Sequence, residues 1–246
     1  MKIYVIESGS KGNSTLVENE GRLLLIDMGI SLCALTNLLK EINHNIYDID
    51  ALLLTHSHSD HIKGVKYLPP LPIYCTEGTY DALNVHEITP FEEFELCGLK
   101  ITPIKTSHDA PNSVGFVLKN HIDSLVFLTD SGFIPERSLK YMHNASFYVI
   151  ESNHNKKMLY QSNRPASLKE RIASDTGHLS NEEAASYMVD LVGENTKEIV
   201  LAHLSEETNT PELALKAFNK KFRKCHIDID SIKIQCASQH HVTKMG

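Results

Sequence analysis

The sequence lacks any apolar run of about eighteen residues, the length that a helix needs to cross a bilayer. Its first apolar stretch ends at Glu7 without the small-residue cleavage site of a signal peptide, so we expect a first strand there. The five cysteines include no C-x-x-C pair, which is typical of the reduced thiols of cytosolic proteins. Together these absences predict a cytoplasmic protein that does not enter a membrane.

The sequence also lacks an excess of positive charge. It has 24 Lys and Arg against 31 Asp and Glu, and its net charge is −7. This balance argues weakly against a general nucleic-acid coat, because phosphate contacts need clustered basic side chains. Basic residues are concentrated in residues 216–224 and, more sparsely, in 156–171. For the first segment we favour a solvated helix face over a nucleic-acid contact.

Strand-like and helix-like segments alternate through the chain. With 246 residues, 41% of them hydrophobic, it is long enough for one domain with a sizeable core, and no repeat divides it. Predicted strands cover residues 2–7, 15–17, 23–27, 51–55, 71–75, 99–105, 114–119, 124–129, 147–150, 198–202 and 231–235. Predicted helices cover residues 32–42, 79–85, 136–142, 181–192 and 211–222, and Ser180 and Glu183 form a capping box before the fourth. This order indicates two packed sheets flanked by helices, an α/β fold.

The strongest chemical signal is Thr-His-Ser-His-Ser-Asp-His at residues 55–61, directly after the apolar run 51–54. It contributes four potential metal ligands, which are His56, His58, Asp60 and His61. At a strand end, the first two can converge on one ion and the last two on a second. Imidazole and carboxylate favour zinc, manganese or iron, whereas softer ions prefer thiolates. The alternative is a polar surface loop in which these residues cluster by chance.

This H-x-H-x-D-H segment resembles the signature of the metallo-β-lactamase superfamily, whose other expected ligands occur here in order. His108, Asp130 and His203 each follow a predicted strand. Asp27 matches the acid of an early Asp-x-Gly element that supports such a site from behind. The resemblance extends over nearly the whole chain. It implies one domain over residues 1–246, built as a four-layer αβ/βα sandwich with the metals at one edge.

The resemblance also implies a centre with two metal ions. One ion would be held by His56, His58, His108 and Asp130, and the other by Asp60, His61, Asp130 and His203. A hydroxide between ions about 3.5–4 Å apart would be the nucleophile, since bound water loses a proton near neutral pH. Asp60 would also help to orient this hydroxide. We expect zinc or manganese, with iron as an alternative, because such sites accept all three.

Details of the motifs indicate which branch of the superfamily the chain resembles. Position 58 is His where the redox flavodiiron branch has an acid, and position 130 is Asp where many zinc β-lactamases have Cys. The Glu-Ser-Asn-His element at Glu151 and the Gly-His-Leu-Ser-Asn element at His178 resemble paired elements of tRNase Z-type phosphodiesterases. They imply that His178 is a general acid and Glu151 its orienting partner. The alternative for His178 is a helix-cap histidine without a catalytic role, and a place for His154 in the site stays open.

A turn with the sequence Ser-Gly-Ser-Lys-Gly-Asn-Ser, residues 8–14, connects the first two predicted strands. Its backbone amides and a lysine side chain are candidates for holding a phosphate, through Ser10, Lys11, Gly12 and Asn13, whereas the alternative is a tight hairpin. With the two preceding elements, the turn is similar to the YycJ/WalJ family. That resemblance implies a DNA-directed 5′-to-3′ exonuclease associated with mismatch repair. The chain departs from the family at Asn155, where Asp is expected, which bears on metal preference or rate.

We therefore predict a metal-dependent phosphodiester hydrolase, a DNA exonuclease with DNA preferred over RNA. The first alternatives are a small cyclic-phosphate phosphodiesterase and a glyoxalase II-like thioesterase, which would use the same metals in a closed pocket. The Gly-His-Leu-Ser-Asn element argues against the thioesterase. A regulatory protein that keeps the fold is a further alternative, but such proteins usually lose ligands and this chain has every expected one.

Overall fold

Two seven-stranded sheets form the centre of the computed structural model, which describes residues 1–228 and 231–246. The strands of the first sheet are β1 (Lys2–Glu7), β2 (Ser14–Asn19), β3 (Arg22–Ile26), β4 (Ile49–Leu53), β5 (Ile73–Cys75), β6 (Val85–Glu87) and β14 (Thr243–Met245). Those of the second are β7 (Phe94–Leu96), β8 (Leu99–Lys105), β9 (Val114–Lys119), β10 (Ser124–Leu128), β11 (Phe147–Glu151), β12 (Glu198–Ala202) and β13 (Lys233–Cys236). They lie in the orders β14-β1-β2-β3-β4-β5-β6 and β13-β12-β11-β10-β9-β8-β7.

Helices cover the outer faces of both sheets. They are α1 (Leu32–Glu41), α2 (Ser59–Ile62), α3 (Glu136–Met142), α4 (Lys156–Gln161), α5 (Ala166–Ile172), α6 (Asn181–Leu191) and α7 (Pro211–Lys224). Helix α1 packs on the first sheet, and α3, α6 and α7 pack on the second, with Phe218 and Phe222 of α7 fully buried. The predicted four-layer αβ/βα sandwich is confirmed. None of the helices in the described ranges is long and apolar enough to span a membrane.

The central strands are apolar on both faces because a second layer covers each face. In β3, Leu24 and Ile26 belong to the core between the sheets, whereas Leu23 and Leu25 belong to the core under α1. Strand β3 pairs in parallel with β4, and β10, β11 and β12 pair in parallel with one another. Parallel strands end at the same edge, so residues that follow them come close together.

The eleven predicted strands all occur, with bounds that differ by two residues or fewer. The predicted helix at 79–85 is wrong, because Val85 begins β6 and pairs with β5, and this pairing outweighs the local pattern. The short elements α2, α4, α5, β6, β7 and β14 have no predicted counterpart. The capping box of α6 is confirmed: Ser180 Oγ accepts from the Glu183 amide at 3.3 Å, and the Ser180 amide donates to Glu183 Oε2 at 3.0 Å.

Candidate metal centre

Five chain segments meet at one edge of the sandwich, each shortly after a strand. Asp27 follows β3, residues 56–61 follow β4, and His108, Asp130 and His203 follow β8, β10 and β12. Strands β8, β10 and β12 run in one direction, because β8 and β10 are both antiparallel to β9 while β10, β11 and β12 are parallel. Their carboxyl ends therefore lie at one edge, next to the ends of β3 and β4.

Three of these residues have a backbone conformation that is uncommon outside glycine. Asp27, Asp130 and His203 have φ angles of 59°, 58° and 55°, in the left-handed region. Each lies within two residues of a strand end, so the left-handed turn takes its side chain out of the alternation of the strand. Strained residues of this kind collect at functional sites, where the surrounding structure holds them.

His56, His58 and His108 form the first group of potential ligands. One ring nitrogen of each lies within 4.8 Å of the others, and His108 Nε2 is 3.2 Å from His58 Nδ1. The other nitrogen of His108, Nδ1, lies 3.2 Å from the carbonyl oxygen of Gly177. That contact turns Nε2 of His108 toward the group, which is how a ligating histidine is usually oriented.

Asp60, His61 and His203 form the second group, also with ligand atoms within 4.8 Å of one another. Asp60 Oδ2 lies 3.5 Å from His61 Nε2 and 3.8 Å from His203 Nε2. Asp130 lies between the two groups: its Oδ2 is 3.2 Å from His61 Nε2, and its Oδ1 is 3.9 Å from His108 Nε2. The structure thus brings together every residue that the sequence proposed as a metal ligand.

Buried polar atoms without a hydrogen-bond partner mark the middle of this cluster. Within the described residues, His56 Nε2, His203 Nε2 and Asp130 Oδ2 are such atoms. Buried polar atoms in native proteins are nearly always satisfied, so three together indicate a shared ligand. Imidazole nitrogens and carboxylate oxygens without a thiolate fit zinc, manganese or iron.

Charges within the cluster shift its ionisation equilibria. Burial and the charge of His61 lower the pKa of His56. Burial alone would lower the pKa of His203, but Asp130, Asp60 and Glu151 raise it to about 10. Burial alone would raise the pKa of Asp130, but the charges of His203 and His61 hold it well below its ordinary value. In the metal-free protein a proton on His203 offsets these carboxylates, and a bound cation would displace that proton.

Asp27 lies behind the second group. It is fully buried, and its Oδ2 accepts a hydrogen bond from His61 Nδ1 at 2.8 Å. Thr55 fixes the carboxylate, because its amide donates to Oδ1 and its hydroxyl donates to Oδ2, both at 2.9 Å. With Nδ1 of His61 held in this way, Nε2 points at Asp130 and Asp60.

Glu151 connects the second group to His178. Its Oε1 accepts hydrogen bonds from His178 Nδ1 at 2.8 Å and from His203 Nδ1 at 3.0 Å. Its Oε2 accepts from the amides of Ser131 and Leu179 at 3.1 and 3.0 Å. Burial alone would raise the pKa of Glu151, but the charge of His178 and these hydrogen bonds lower it to about 2. Glu151 is therefore a fixed, charged acceptor for two histidines.

The turn at residues 8–14 differs from its prediction. The amide of Gly12 donates to Gly9 O at 3.1 Å and the amide of Asn13 donates to Asp60 O at 2.8 Å, so neither amide is free to hold a phosphate. The Asn13 side chain instead donates to Asp60 Oδ2 at 3.2 Å. Ser10 and Lys11 lie at the exposed tip, where Lys11 Nζ is 2.6 Å from Glu206 Oε2.

An acidic residue that no sequence motif indicated, Asp109, also lies at the centre. Asp109 Oδ1 lies 3.5 Å from His58 Nε2 and 3.4 Å from His108 Nε2, and the only sequence signal was its position beside His108. His154 is buried but belongs to none of the potential metal-ligand groups among the described residues. Asn155 caps α4 by accepting from an amide at 3.0 Å, a role that Asp performs equally well.

The chain is similar in sequence to known proteins. The Beta-lactamase superfamily domain matches residues 22–204. Exodeoxyribonuclease YycJ of Bacillus anthracis is 36% identical, over 85% of this chain and 84% of the relative. Exodeoxyribonuclease WalJ of Streptococcus pneumoniae serotype 2 is 37% identical, over 87% of this chain and 85% of the relative.

The fold of the whole chain is similar to that of a solved structure. The metallo-beta-lactamase fold protein YhfI from Bacillus subtilis matches with a TM-score of 0.73 over 99% of both chains, at 19% identity. At that identity the match concerns the fold alone, whereas the two exodeoxyribonucleases are similar in sequence over most of their length. The chain therefore belongs to the beta-lactamase superfamily and, within it, to the family of the YycJ and WalJ exodeoxyribonucleases.

Proposed function

We propose that this chain is a metal-dependent exodeoxyribonuclease that removes nucleotides from the 5′ end of DNA in DNA repair. The observation that carries the proposal is the contact of Glu151 with both His203 and His178, because it links a candidate proton donor to the candidate metal ligands. The names of the YycJ and WalJ relatives favour DNA over RNA. We also propose that residues 1–246 form a single domain and that the protein acts in the cytoplasm.

Two divalent ions, zinc or manganese with iron as an alternative, fit the cluster. His56, His58, His108 and Asp130 would hold one ion, and Asp60, His61, Asp130 and His203 would hold the other. When bound, the ions would supply the Lewis acidity that activates water and neutralises phosphate charge. The buried, unpartnered atoms His56 Nε2, His203 Nε2 and Asp130 Oδ2 support this assignment.

His178 is the proposed general acid. The leaving oxygen of a nucleotide would depart as an unstable alkoxide, so it needs a proton. Nδ1 of His178 donates to Glu151, which leaves Nε2 for the substrate. The His178 side chain is 13% exposed, whereas that of Glu151 is fully buried. The charged Glu151 holds the His178 ring in this orientation, because hydrogen bonds to charged acceptors are strong.

Asp60 is proposed to orient the attacking water, and Asn13 to hold Asp60 in place through the hydrogen bond between their side chains. Ser10 and Lys11 are proposed to contact the substrate phosphate. The partner of Lys11, Glu206, has a side chain that is 43% exposed, so a phosphate can take its place at little cost. Gly12 keeps the turn close to the rest of the site, since a Cβ there would lie 2.5 Å from Gly29 O.

A panel of substrates tests the proposal. Wild type and Asp60→Ala, with manganese or zinc added, are compared on end-labelled DNA and RNA, bis(4-nitrophenyl) phosphate and a thioester. His121→Ala is the matched control, because it removes an exposed histidine in the turn between β9 and β10. We expect a 5′ label to leave DNA at once as a mononucleotide and a 3′ label to give a ladder, and Asp60→Ala to abolish both. Cleavage of only the small phosphodiester or the thioester would overturn the proposal.

A further inference from the structure

A groove next to the metal centre has no part in the function proposed so far. We call it the aromatic groove. It has a volume of about 520 Å³, and its lining includes Phe91, Lys105, Phe133 and Arg137. It is continuous with the centre along the chain, because Ser107 in its wall precedes His108 and Phe133 follows the loop of Asp130. The amide of Gly132 donates to Ser107 O at 2.8 Å and holds the two walls together.

Phe133 gives this groove an exposed aromatic surface. Phe133 is 40% exposed, although the large apolar residues of the sandwich are mostly buried. The backbone beneath it is fixed, because Ser131 Oγ donates to Phe133 O at 2.6 Å and the Ser131 amide donates to Glu151. An exposed phenyl ring on a rigid loop, tied to the proposed proton-transfer pair, offers a face on which a base can stack.

The groove also contains cations whose charge is not neutralised. The Arg137 guanidinium lies 4.0 Å from the centre of the Phe91 ring, and Lys105 is exposed at the end of β8. In the described parts of the chain neither forms an ion pair, whereas Arg171 pairs with Asp109 at 3.1 Å, as Lys11 pairs with Glu206. The aromatic groove therefore combines an open ring face with two cations available to a phosphate.

We propose that the aromatic groove binds one unpaired nucleotide of the DNA strand being cleaved, with its base stacked on Phe133 and its phosphate near Lys105 and Arg137. This inference rests on the proposed function and names where the strand next to the scissile phosphate lies. Stacking on an aromatic face tolerates every base, which suits an enzyme that shortens DNA of any sequence. The volume is in the range that holds a small ligand, roughly 300–1,000 Å³.

The chain contains no Trp, so Phe133→Trp gives a protein with a single indole in the groove. Ile122→Trp is the matched control, because Ile122 is 83% exposed in the turn at the far end of β9 and β10. The metal-loaded variants are titrated with a single-stranded phosphorothioate oligodeoxynucleotide, which resists cleavage. We expect saturable fluorescence quenching in Phe133→Trp and none in Ile122→Trp. An abasic oligomer of equal charge should not quench Phe133→Trp.

Kinetics give the second readout. Phe133→Ala should raise the KM for DNA about 5- to 100-fold, and more than it changes hydrolysis of bis(4-nitrophenyl) phosphate, while Phe133→Tyr should restore the wild-type KM. Equal quenching by the abasic oligomer, or an unchanged KM, would overturn the inference even if wild type degrades DNA. If quenching depends on the base but the protein cleaves no DNA, the result would support nucleotide binding in the aromatic groove and contradict the proposed function.

Discussion

Replacing His178 with alanine tests whether this residue is a proton donor or a metal ligand. The nearest partners of its Nδ1 are Glu151 Oε1 at 2.8 Å and Asp130 Oδ1 at 3.6 Å, so the ring lies beside the proposed ligands. If His178 is a general acid, His178→Ala should keep both metal ions, because the proposed ligands of each ion remain. If it is a ligand, the variant should lose metal.

The size of the effect should depend on the leaving group. A general acid contributes about 10²- to 10⁴-fold when the leaving oxygen is a poor one, as in DNA. The 4-nitrophenolate ion leaves without a proton, so hydrolysis of bis(4-nitrophenyl) phosphate by His178→Ala should fall by less than about ten-fold. The ratio of the two losses therefore measures proton donation separately from general damage to the site.

The assay measures kcat on a labelled oligodeoxynucleotide and on the nitrophenyl ester, with metal content determined on the same preparations. His121→Ala, an exposed histidine outside the site, should match wild type in all three measurements. Equal losses on both substrates would refute the assignment of His178 as the acid. A loss of bound metal in His178→Ala would move His178 into the set of metal ligands.

Three further changes test other parts of the structure. Asp27→Asn should weaken metal binding about 10- to 100-fold in a chelator competition, because His61 loses its charged acceptor, and an unchanged affinity would contradict that role. Arg137→Ala should reduce the slope of log K for single-stranded DNA against log salt by about 0.7, and an unchanged slope would exclude a phosphate contact. Phe218→Ala should lower the free energy of unfolding by about 3–5 kcal/mol in a urea titration, whereas the exposed Lys216→Ala should change it by less than about 0.5 kcal/mol.

The layers and the proposed ligands could be predicted because their signals are local. The run 51–54 is apolar, so it predicts a buried strand, and the residues at 56–61 follow at its end. His108, Asp130 and His203 each follow such a strand. A single histidine after a strand is more often a surface or core residue, so the prediction that these residues share one site came from the resemblance to the metallo-β-lactamase superfamily.

Contacts between distant segments could not be predicted in the same way. The turn at residues 8–14 has the composition of a phosphate-binding loop, but Asn13 bonds to Asp60, which lies 47 residues away, and its amide is used in the same contact. Asp109 had no motif, and its place beside His58 follows from how two loops pack. The exposure of Phe133 is likewise a property of the folded surface, since in the sequence it is one more apolar residue after a strand.

The position of Glu151 explains why the proposed acid and the proposed metal centre would act as one unit. Two histidines donate to a single oxygen, Oε1, while two backbone amides hold the other oxygen, so neither histidine can turn without losing a charged partner. A cation on Nε2 of His203 would leave Nδ1 of that ring donating to Glu151. Glu151 would then hold a proposed metal ligand and the proposed acid in a fixed position relative to each other.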